Sequence, residues 1–143
     1  MIYLSDLMLT IFYAAFGILL MIVSNAVIDL FIPGDFAEEI RRGNRAVAWL
    51  SAGSFIGIGE ILRAVILSPV YEAAAPDFMQ GVLSSAVYAA LGIVCFILGF
   101  FAINLWHRKY ALAAEIQKGN TAAGILVFGI FVGLSLVISG AVH

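Results

Sequence analysis

An acidic and a basic residue, Glu60 and Arg63, lie three positions apart inside a long apolar stretch. Residues three apart share one face of a helix, so the carboxylate and the guanidinium can pair. A charge at the middle of a bilayer costs roughly 2.5–3.5 kcal/mol on insertion scales, so the pair should face protein or water. Two interpretations are open. The pair is either an ion or proton site on a transport path, or a structural pair that fixes helix packing or an oligomer contact.

Two further polar residues, Asn25 and Asp29, lie four positions apart near the end of the first apolar stretch. On a helix this spacing also puts both side chains on one face. One interpretation is that they line a cytoplasmic vestibule on an ion path. The other is that Asp29 makes a helix-end hydrogen bond, or an ion pair with Arg41 or Arg42.

A Gly-Asn step occurs twice, at Gly43-Asn44 and at Gly119-Asn120. Glycine suits the left-handed position that follows a helix, and asparagine is among the best N-caps. Each step is therefore predicted to end one helix and begin the next. The alternative is that the two asparagines, at helix N-termini, face an anion or a water-filled opening.

These steps belong to a longer internal repeat. Residues 37–57 and 113–133 share identical residues at many positions, always 76 positions apart and without a gap. A repeat of this kind fixes the architecture of a chain. It includes Glu39 and Glu115, which are predicted to accept hydrogen bonds from free helix-start amides. A cation site is the alternative role for these two carboxylates.

The repeat also contains two G-x-x-x-G patterns in apolar segments, at Gly53 and Gly57 and at Gly129 and Gly133. Small residues at this spacing let membrane helices approach closely, so all four glycines are predicted to pack against helices. Glu60 continues the first of these stripes. The same spacing therefore predicts that Glu60 lies at a helix contact or lines a cavity.

Composition indicates a membrane protein. The 143 residues are 64% hydrophobic and 11% charged, the mean hydropathy is +1.11, and soluble domains carry about 25% charged residues. A net charge of −2 with no basic tail argues against a nucleic-acid partner. The single cysteine excludes an internal disulfide. No cofactor motif, metal-ligand spacing or catalytic motif is present, so neither a cofactor, a metal nor an enzymatic activity is expected.

The pattern predicts an all-α, polytopic protein that forms a single membrane domain over residues 1–143. Its N-terminal segment lacks the features of a signal peptide and is expected to remain as a helix. Two parallel two-helix repeats, over about 7–68 and 82–143, are predicted to be related by a pseudo-two-fold axis along the membrane normal. The predicted segments are transmembrane helices over 7–32, 44–68, 82–106 and 121–142, and surface helices over 36–42 and 110–118.

Basic residues predict the orientation, because Lys and Arg favour the cytoplasmic side. All but one of the seven lie in the two connections that contain the surface helices, and the exception is Arg63. Both connections are therefore predicted to be cytoplasmic, with both termini periplasmic or extracellular. The acidic loop between the repeats, over 70–81, carries no Lys or Arg and is predicted to lie outside.

The doubled pattern E-I-x-x-G-N-x-A, at 39–46 and 115–122, resembles that of the YjfL-like bacterial inner-membrane proteins. The resemblance extends over nearly the whole chain, and the Gly-Asn steps are its most specific part. It implies an integral protein of a bacterial inner membrane. It implies no particular reaction, and it assigns no functional residues.

Two functions from different classes are compatible with the sequence. The first is a homo-oligomeric ion channel or small transporter, because four helices barely enclose a polar path and several copies would be needed. A small ion would then be the substrate, and Glu60 with Arg63 would lie on its path. The second is a non-catalytic scaffold in the lipid bilayer that recruits partners through its two charged surface helices.

Overall fold

The chain crosses a membrane four times. The computed structural model describes residues 4–68, 78–106 and 111–142, and in these ranges all regular secondary structure is α-helical. Four helices of 28, 22, 29 and 21 residues are long and apolar enough to span a hydrocarbon core of about 30 Å. The prediction of an all-α, multi-pass membrane protein is confirmed. These helices are α1 (Leu4–Phe31), α3 (Arg45–Ile66), α4 (Phe78–Trp106) and α6 (Thr121–Ala141).

Two short helices, α2 (Phe36–Arg41) and α5 (Leu112–Gln117), precede α3 and α6. α2 begins where the sequence predicted, because the carboxylate of Asp35 accepts a hydrogen bond of 3.0 Å from the backbone amide of Glu38. α5 has no such side-chain cap, since Ala111 occupies the corresponding position.

Some helix boundaries differ from those predicted. α4 begins at Phe78, four residues before the predicted start, because Gly81 does not break the helix but lies buried within its first turns. The described residues do not include Pro69, which follows the predicted second transmembrane helix, the segment 107–110 after the third one, or most of the acidic loop.

α3 is the central helix of the fold. It packs against α1, α4 and α6, and half of its most apolar window is buried, compared with 6% for α1. Its buried residues Leu50, Ile58 and Ile61 join a core that includes Phe96 and Phe131, whose rings stack with centroids 4.7 Å apart. α1 instead turns most of its surface outward, as a helix that faces lipid would.

Glycines allow α3 and α6 to approach closely. A Cβ atom added at Gly53 would lie 2.8 Å from the Cα atom of Phe128, and one at Gly124 would overlap the backbone of Ala46. Contacts this short leave no room for any side chain at either position. The tightest helix contact in the chain therefore joins its first half to its second half.

The contacts between the two halves are not reciprocal. A two-fold axis would exchange α3 with α6 and α4 with α1, so the packing of α3 on α4 would be matched by packing of α6 on α1. α3 does pack on α4, but α1 and α6 share no comparable contact between their described residues. The predicted two-fold relation is therefore wrong for these helix contacts, because the packing of α3 on α4 has no counterpart between α6 and α1.

Candidate functional site

Glu60 and Arg63 form a two-point ion pair on α3. The guanidinium donates from Nε to Oε2 and from Nη2 to Oε1, each at 2.8 Å. The side chain of Arg63 is 61% exposed and that of Glu60 is 23% exposed. The pair thus lies on the surface of α3, and Arg63 belongs to the last turn of this membrane-spanning helix.

The surroundings of the pair include a residue of the second half. The hydroxyl of Ser139 donates to the backbone carbonyl of Glu60 at 3.2 Å. Ser139 is the counterpart of Arg63 in the internal repeat, 76 positions later, but the repeat does not indicate this contact, and the serine was not singled out as a site residue. On its other side, Arg63 borders a groove of about 450 Å³ between α1 and α3, lined mainly by apolar residues such as Leu62.

The transmembrane helices also bury polar oxygens that accept or donate no hydrogen bond among the described residues. Such groups normally find a partner, and water commonly supplies it where space allows. They are spread over α1, α3 and α4, and hydropathy patterns do not single them out. They are the hydroxyls of Ser24, Ser51, Ser54 and Ser85 and the amide oxygens of Asn25 and Asn104.

The side chain of Asp29 accepts a hydrogen bond across the turn that follows α1. Its Oδ1 atom accepts a hydrogen bond of 3.0 Å from the backbone amide of Phe36, the first residue of α2. Arg41 and Arg42 instead pair with Glu38. Of the two interpretations of Asp29, the geometry favours the helix-end hydrogen bond over a place on an ion path.

The first Gly-Asn step joins α2 to α3. Gly43 has a φ of 83°, in the left-handed region that favours glycine. Asn44 then caps α3, with its Oδ1 atom accepting from the backbone amides of Ala46 at 3.0 Å and Val47 at 3.2 Å. Its Nδ2 atom donates to the carboxylate of Glu39 at 2.7 Å. Glu39 thus binds the capping side chain, with Arg42 3.8 Å away, and not, as the sequence predicted, a free helix-start amide.

Asn44 also reaches the other half of the chain. Its Nδ2 atom donates to the backbone carbonyl of Ile116 at 2.9 Å. Asn44 and Ile116 are both buried. The two asparagines therefore differ, because in the described part of the chain Asn120 donates no hydrogen bond to a backbone carbonyl of the other half.

The second Gly-Asn step joins α5 to α6 with similar local geometry. Gly119 has a φ of 81°, and the Oδ1 atom of Asn120 accepts from the backbone amide of Ala122 at 3.1 Å. The Nδ2 atom of Asn120 donates to Glu115 at 2.9 Å, and Lys118 pairs with the same carboxylate at 3.1 Å. These two contacts, led by the Asn120 amide, lower the pKa of Glu115 below its ordinary value.

α2 carries a compact set of charges on its exposed side. The carboxylate of Glu38 accepts from Arg41 at 2.7 Å and from Arg42 at 2.9 Å. The hydrogen bonds from Arg41 are the main reason that the pKa of Glu38 is lowered. Within the described ranges, no group of three or more His, Cys, Asp and Glu residues could hold a metal ion.

The four glycines of the G-x-x-x-G patterns occupy two different environments. Gly53 and Gly57 are buried, and a Cβ atom at Gly57 would lie 3.2 Å from the backbone oxygen of Phe131. Gly129 and Gly133 are exposed, and a Cβ atom at either would meet nothing within 4 Å. The packing predicted for all four is therefore wrong for Gly129 and Gly133 within one chain, because α6 turns them outward.

Comparison with known proteins shows that the chain is similar to transmembrane proteins of two bacteria. It is 25% identical over 130 residues to the UPF0719 transmembrane protein YshE of Bacillus subtilis (strain 168), covering 91% of this chain and 90% of that protein. It is 28% identical over 110 residues to a UPF0719 transmembrane protein of Aquifex aeolicus (strain VF5), covering 76% of this chain but only 38% of that protein. No solved structure matches.

The family model described as Domain of Unknown Function (DUF350) matches residues 1–142, which is nearly the full length. That match includes all four membrane-spanning helices, both short helices and the Glu60–Arg63 pair. The chain therefore belongs to the DUF350 family of transmembrane proteins.

Proposed function

We propose that the protein is a non-enzymatic, homo-oligomeric ion channel or small transporter of the bacterial inner membrane, with Glu60 and Arg63 on its conduction path. The observation that carries this proposal is the exposure of a paired charge within a membrane span. The side chain of Arg63 is 61% exposed in the last turn of α3, and an isolated chain would place it at the edge of the hydrocarbon core. Several copies around a polar path would give both groups water or protein as their surroundings.

The chemistry of the pair suits a small ion. A carboxylate held by a guanidinium on one side keeps oxygen lone pairs that can bind a cation or accept a proton, and the guanidinium can attract an anion. The pair itself is made within one helix turn, so it does not need a second copy to form. The unpartnered buried oxygens add polar groups that water could reach, and one of them, the hydroxyl of Ser85, belongs to a residue that lines the same groove as Arg63.

The test is flux through proteoliposomes that contain the purified protein, measured for protons, monovalent cations and anions. Glu60→Gln should abolish the flux while yield and oligomer size remain unchanged. Glu38→Gln is the matched control, because it breaks a similar Glu–Arg pair on α2, outside the membrane spans, and should leave the flux intact. Absence of flux from the stable wild-type oligomer would count against the proposal.

A second candidate function, a scaffold that recruits cytoplasmic or peripheral partners, has its own supporting observation. The arginine side chains of α2 are 75% exposed at Arg41 and 65% exposed at Arg42, so they are open to a partner. Charge reversal at both positions should then remove a co-purifying protein without changing assembly. Retention of every co-purifying protein after the reversal would argue against the scaffold.

A further inference from the structure

The internal repeat gives each half of the chain the same two packing faces. We define the glycine face as Ala46, Gly53 and Gly57 on α3, and as Ala122, Gly129 and Gly133 on α6, each residue 76 positions after its counterpart. We define the receiving face as the residues of α6 that the glycine face of α3 contacts, and their counterparts on α3. These are Gly124, Phe128 and Phe131 on α6, and Ala48, Ala52 and Phe55 on α3.

One glycine face and one receiving face are used within the chain. The glycine face of α3 packs on the receiving face of α6 with backbone-to-backbone contacts. The closest of them join Ala46 to Gly124 and Gly53 to Phe128. Trp49, beside the glycine face, adds an edge-to-face contact with the ring of Phe128 at 5.2 Å.

The other glycine face and the other receiving face are open. Ala122, Gly129 and Gly133 are all exposed on α6, although their counterparts on α3 are buried. On α3, Ala48 and Phe55 are exposed, although their counterparts Gly124 and Phe131 on α6 are buried. The glycine face of α6 and the receiving face of α3 are thus two complementary surfaces that no described residue of the same chain covers.

The same one-sided pattern occurs at the helix junctions, independently of the glycines. Asn44 is buried and donates to the carbonyl of Ile116, a residue that is fully buried. Their counterparts are Asn120, which is exposed, and Ile40, whose side chain is 44% exposed. A groove of about 360 Å³ lies beside Asn120 and is also lined by Ala122 of the glycine face.

We propose that the glycine face of α6 in one copy docks on the receiving face of α3 in a second copy, repeating between chains the interface that joins the two halves of one chain. Gly129 would then contact Ala52 of the second copy, and Asn120 would donate to the backbone carbonyl of Ile40 of the second copy. The interface is head-to-tail, so each copy keeps one free face for a further copy. Such contacts form a ring where the rotation between copies closes.

The proposed interface also covers an exposed charge near the end of a membrane-spanning helix. Within the chain, Ser139 donates to the backbone carbonyl of Glu60. Under the repeat, Ser139 corresponds to Arg63 and Glu60 corresponds to Leu136. Arg63 of the second copy would therefore lie beside the backbone carbonyl of Leu136 of the first copy, at the position that Ser139 occupies within the chain. Lipid tails offer no acceptor there, which favours a second copy as the occupant of this face.

Cysteine cross-linking tests the interface directly, in a Cys95→Ser background that removes the single native cysteine. Ala52→Cys and Gly129→Cys, combined in one chain, should form disulfides between copies on oxidation in native membranes. The expected product is a ladder that begins at twice the 15.3 kDa of one chain. The corresponding positions within the chain lie close enough to support this, since a Cβ atom at Gly53 would be 2.8 Å from the Cα atom of Phe128.

The single variants separate the alternatives. Gly129→Cys alone should stay monomeric on oxidation, because a head-to-tail interface does not bring two copies of that position together. Dimers from Gly129→Cys alone would indicate a symmetric face-to-face contact and would overturn the proposal. Monomers from every variant would mean that lipid covers the face, which would also overturn it. Val87→Cys with Val94→Cys, on the exposed side of α4, is the control pair and should give no ladder.

Two further measurements keep the result decisive if the double cysteine variant folds poorly. Separately tagged Ala52→Cys and Gly129→Cys chains, co-expressed, should give one cross-linked heterodimer and no ladder. Independently, Gly129→Leu with Gly133→Leu should reduce the detergent-corrected mass to that of one chain, while Ala90→Leu on α4 should not. An unchanged oligomer mass would contradict the proposal. None of these results depends on ion flux, so the interface and the proposed function can fail separately.

Discussion

The side-chain amide of Asn44 donates to the backbone carbonyl of Ile116, 2.9 Å away and 72 positions later in the chain. This bond joins the start of α3 to α5, in the second half of the chain. The same asparagine also caps α3 and binds Glu39. One side chain therefore fixes a helix start, the preceding junction and the contact between halves, whereas Asn120 makes only the first two kinds of bond.

Replacement of the two asparagines should consequently have unequal effects on stability. Asn120→Ala removes a cap, which is worth about 1 kcal/mol. Asn44→Ala removes a similar cap and in addition leaves the buried carbonyl of Ile116 with one bond fewer, which should add about 1 kcal/mol or more. Thermal unfolding in detergent, at a concentration where the chain is monomeric, measures the difference. Equal destabilisation by both substitutions would show that the Asn44–Ile116 bond contributes nothing.

Counterpart glycines should also differ in their tolerance of a methyl group. Gly53→Ala places a Cβ atom 2.8 Å from the backbone of Phe128, so α3 and α6 must separate. Overpacking of this kind costs about 1–3 kcal/mol. Gly129→Ala meets nothing within 4 Å inside the chain and should leave the stability of the monomer unchanged or slightly raised. The unfolding temperatures of the two variants test this, and a larger loss for Gly129→Ala would contradict it.

The features that the sequence predicted well are local ones. The order of the helices and the start of α2 depend on residues within a few positions of each other, where capping chemistry is decided. For Asn44 and the glycine pairs, the sequence predicted capping and helix packing but not which copy is buried. A repeat shows that two segments are alike, and it does not show which face of each one is covered. Gly129 and Gly53 have the same spacing in the sequence and opposite environments in the fold. Two similar halves suggest a two-fold relation between them. In the fold, α3 packs on both α4 and α6, whereas α6 makes no comparable contact with α1 among the described residues.

The carboxylate of Glu38 offers a test of the charge cluster on α2. Its pKa is below the ordinary value of 4.5, chiefly because Arg41 donates hydrogen bonds to it. Because the pKa is lowered in the folded state, the pair contributes stability at pH values above the ordinary pKa of the carboxyl group. This contribution is lost as the pH falls through the lowered pKa. Arg41→Gln should therefore move the Glu38 pKa upward, towards 4.5.

Carbon-13 NMR of selectively labelled glutamate in micelles would follow the Glu38 titration. Arg42→Gln is the matched control and should raise the pKa less, because Arg41 donates two hydrogen bonds of 2.7 Å to this carboxylate and Arg42 donates one of 2.9 Å. A titration midpoint that does not change in Arg41→Gln would show that the ion pair is not formed in solution.

The orientation of the chain in the membrane remains a prediction from the distribution of Lys and Arg, and it can be measured with two cysteine variants. Ala74→Cys lies in the acidic loop between the two halves and should react with an impermeant thiol reagent added to intact cells, because that loop is predicted to lie outside. Ala37→Cys is on α2, exposed in the structure and predicted to be cytoplasmic, so it should react only after lysis. Both variants require Cys95→Ser to remove the native thiol. Labelling of Ala37→Cys in intact cells, with Ala74→Cys protected until lysis, would reverse the predicted orientation and place the charged face of α2 outside the cell.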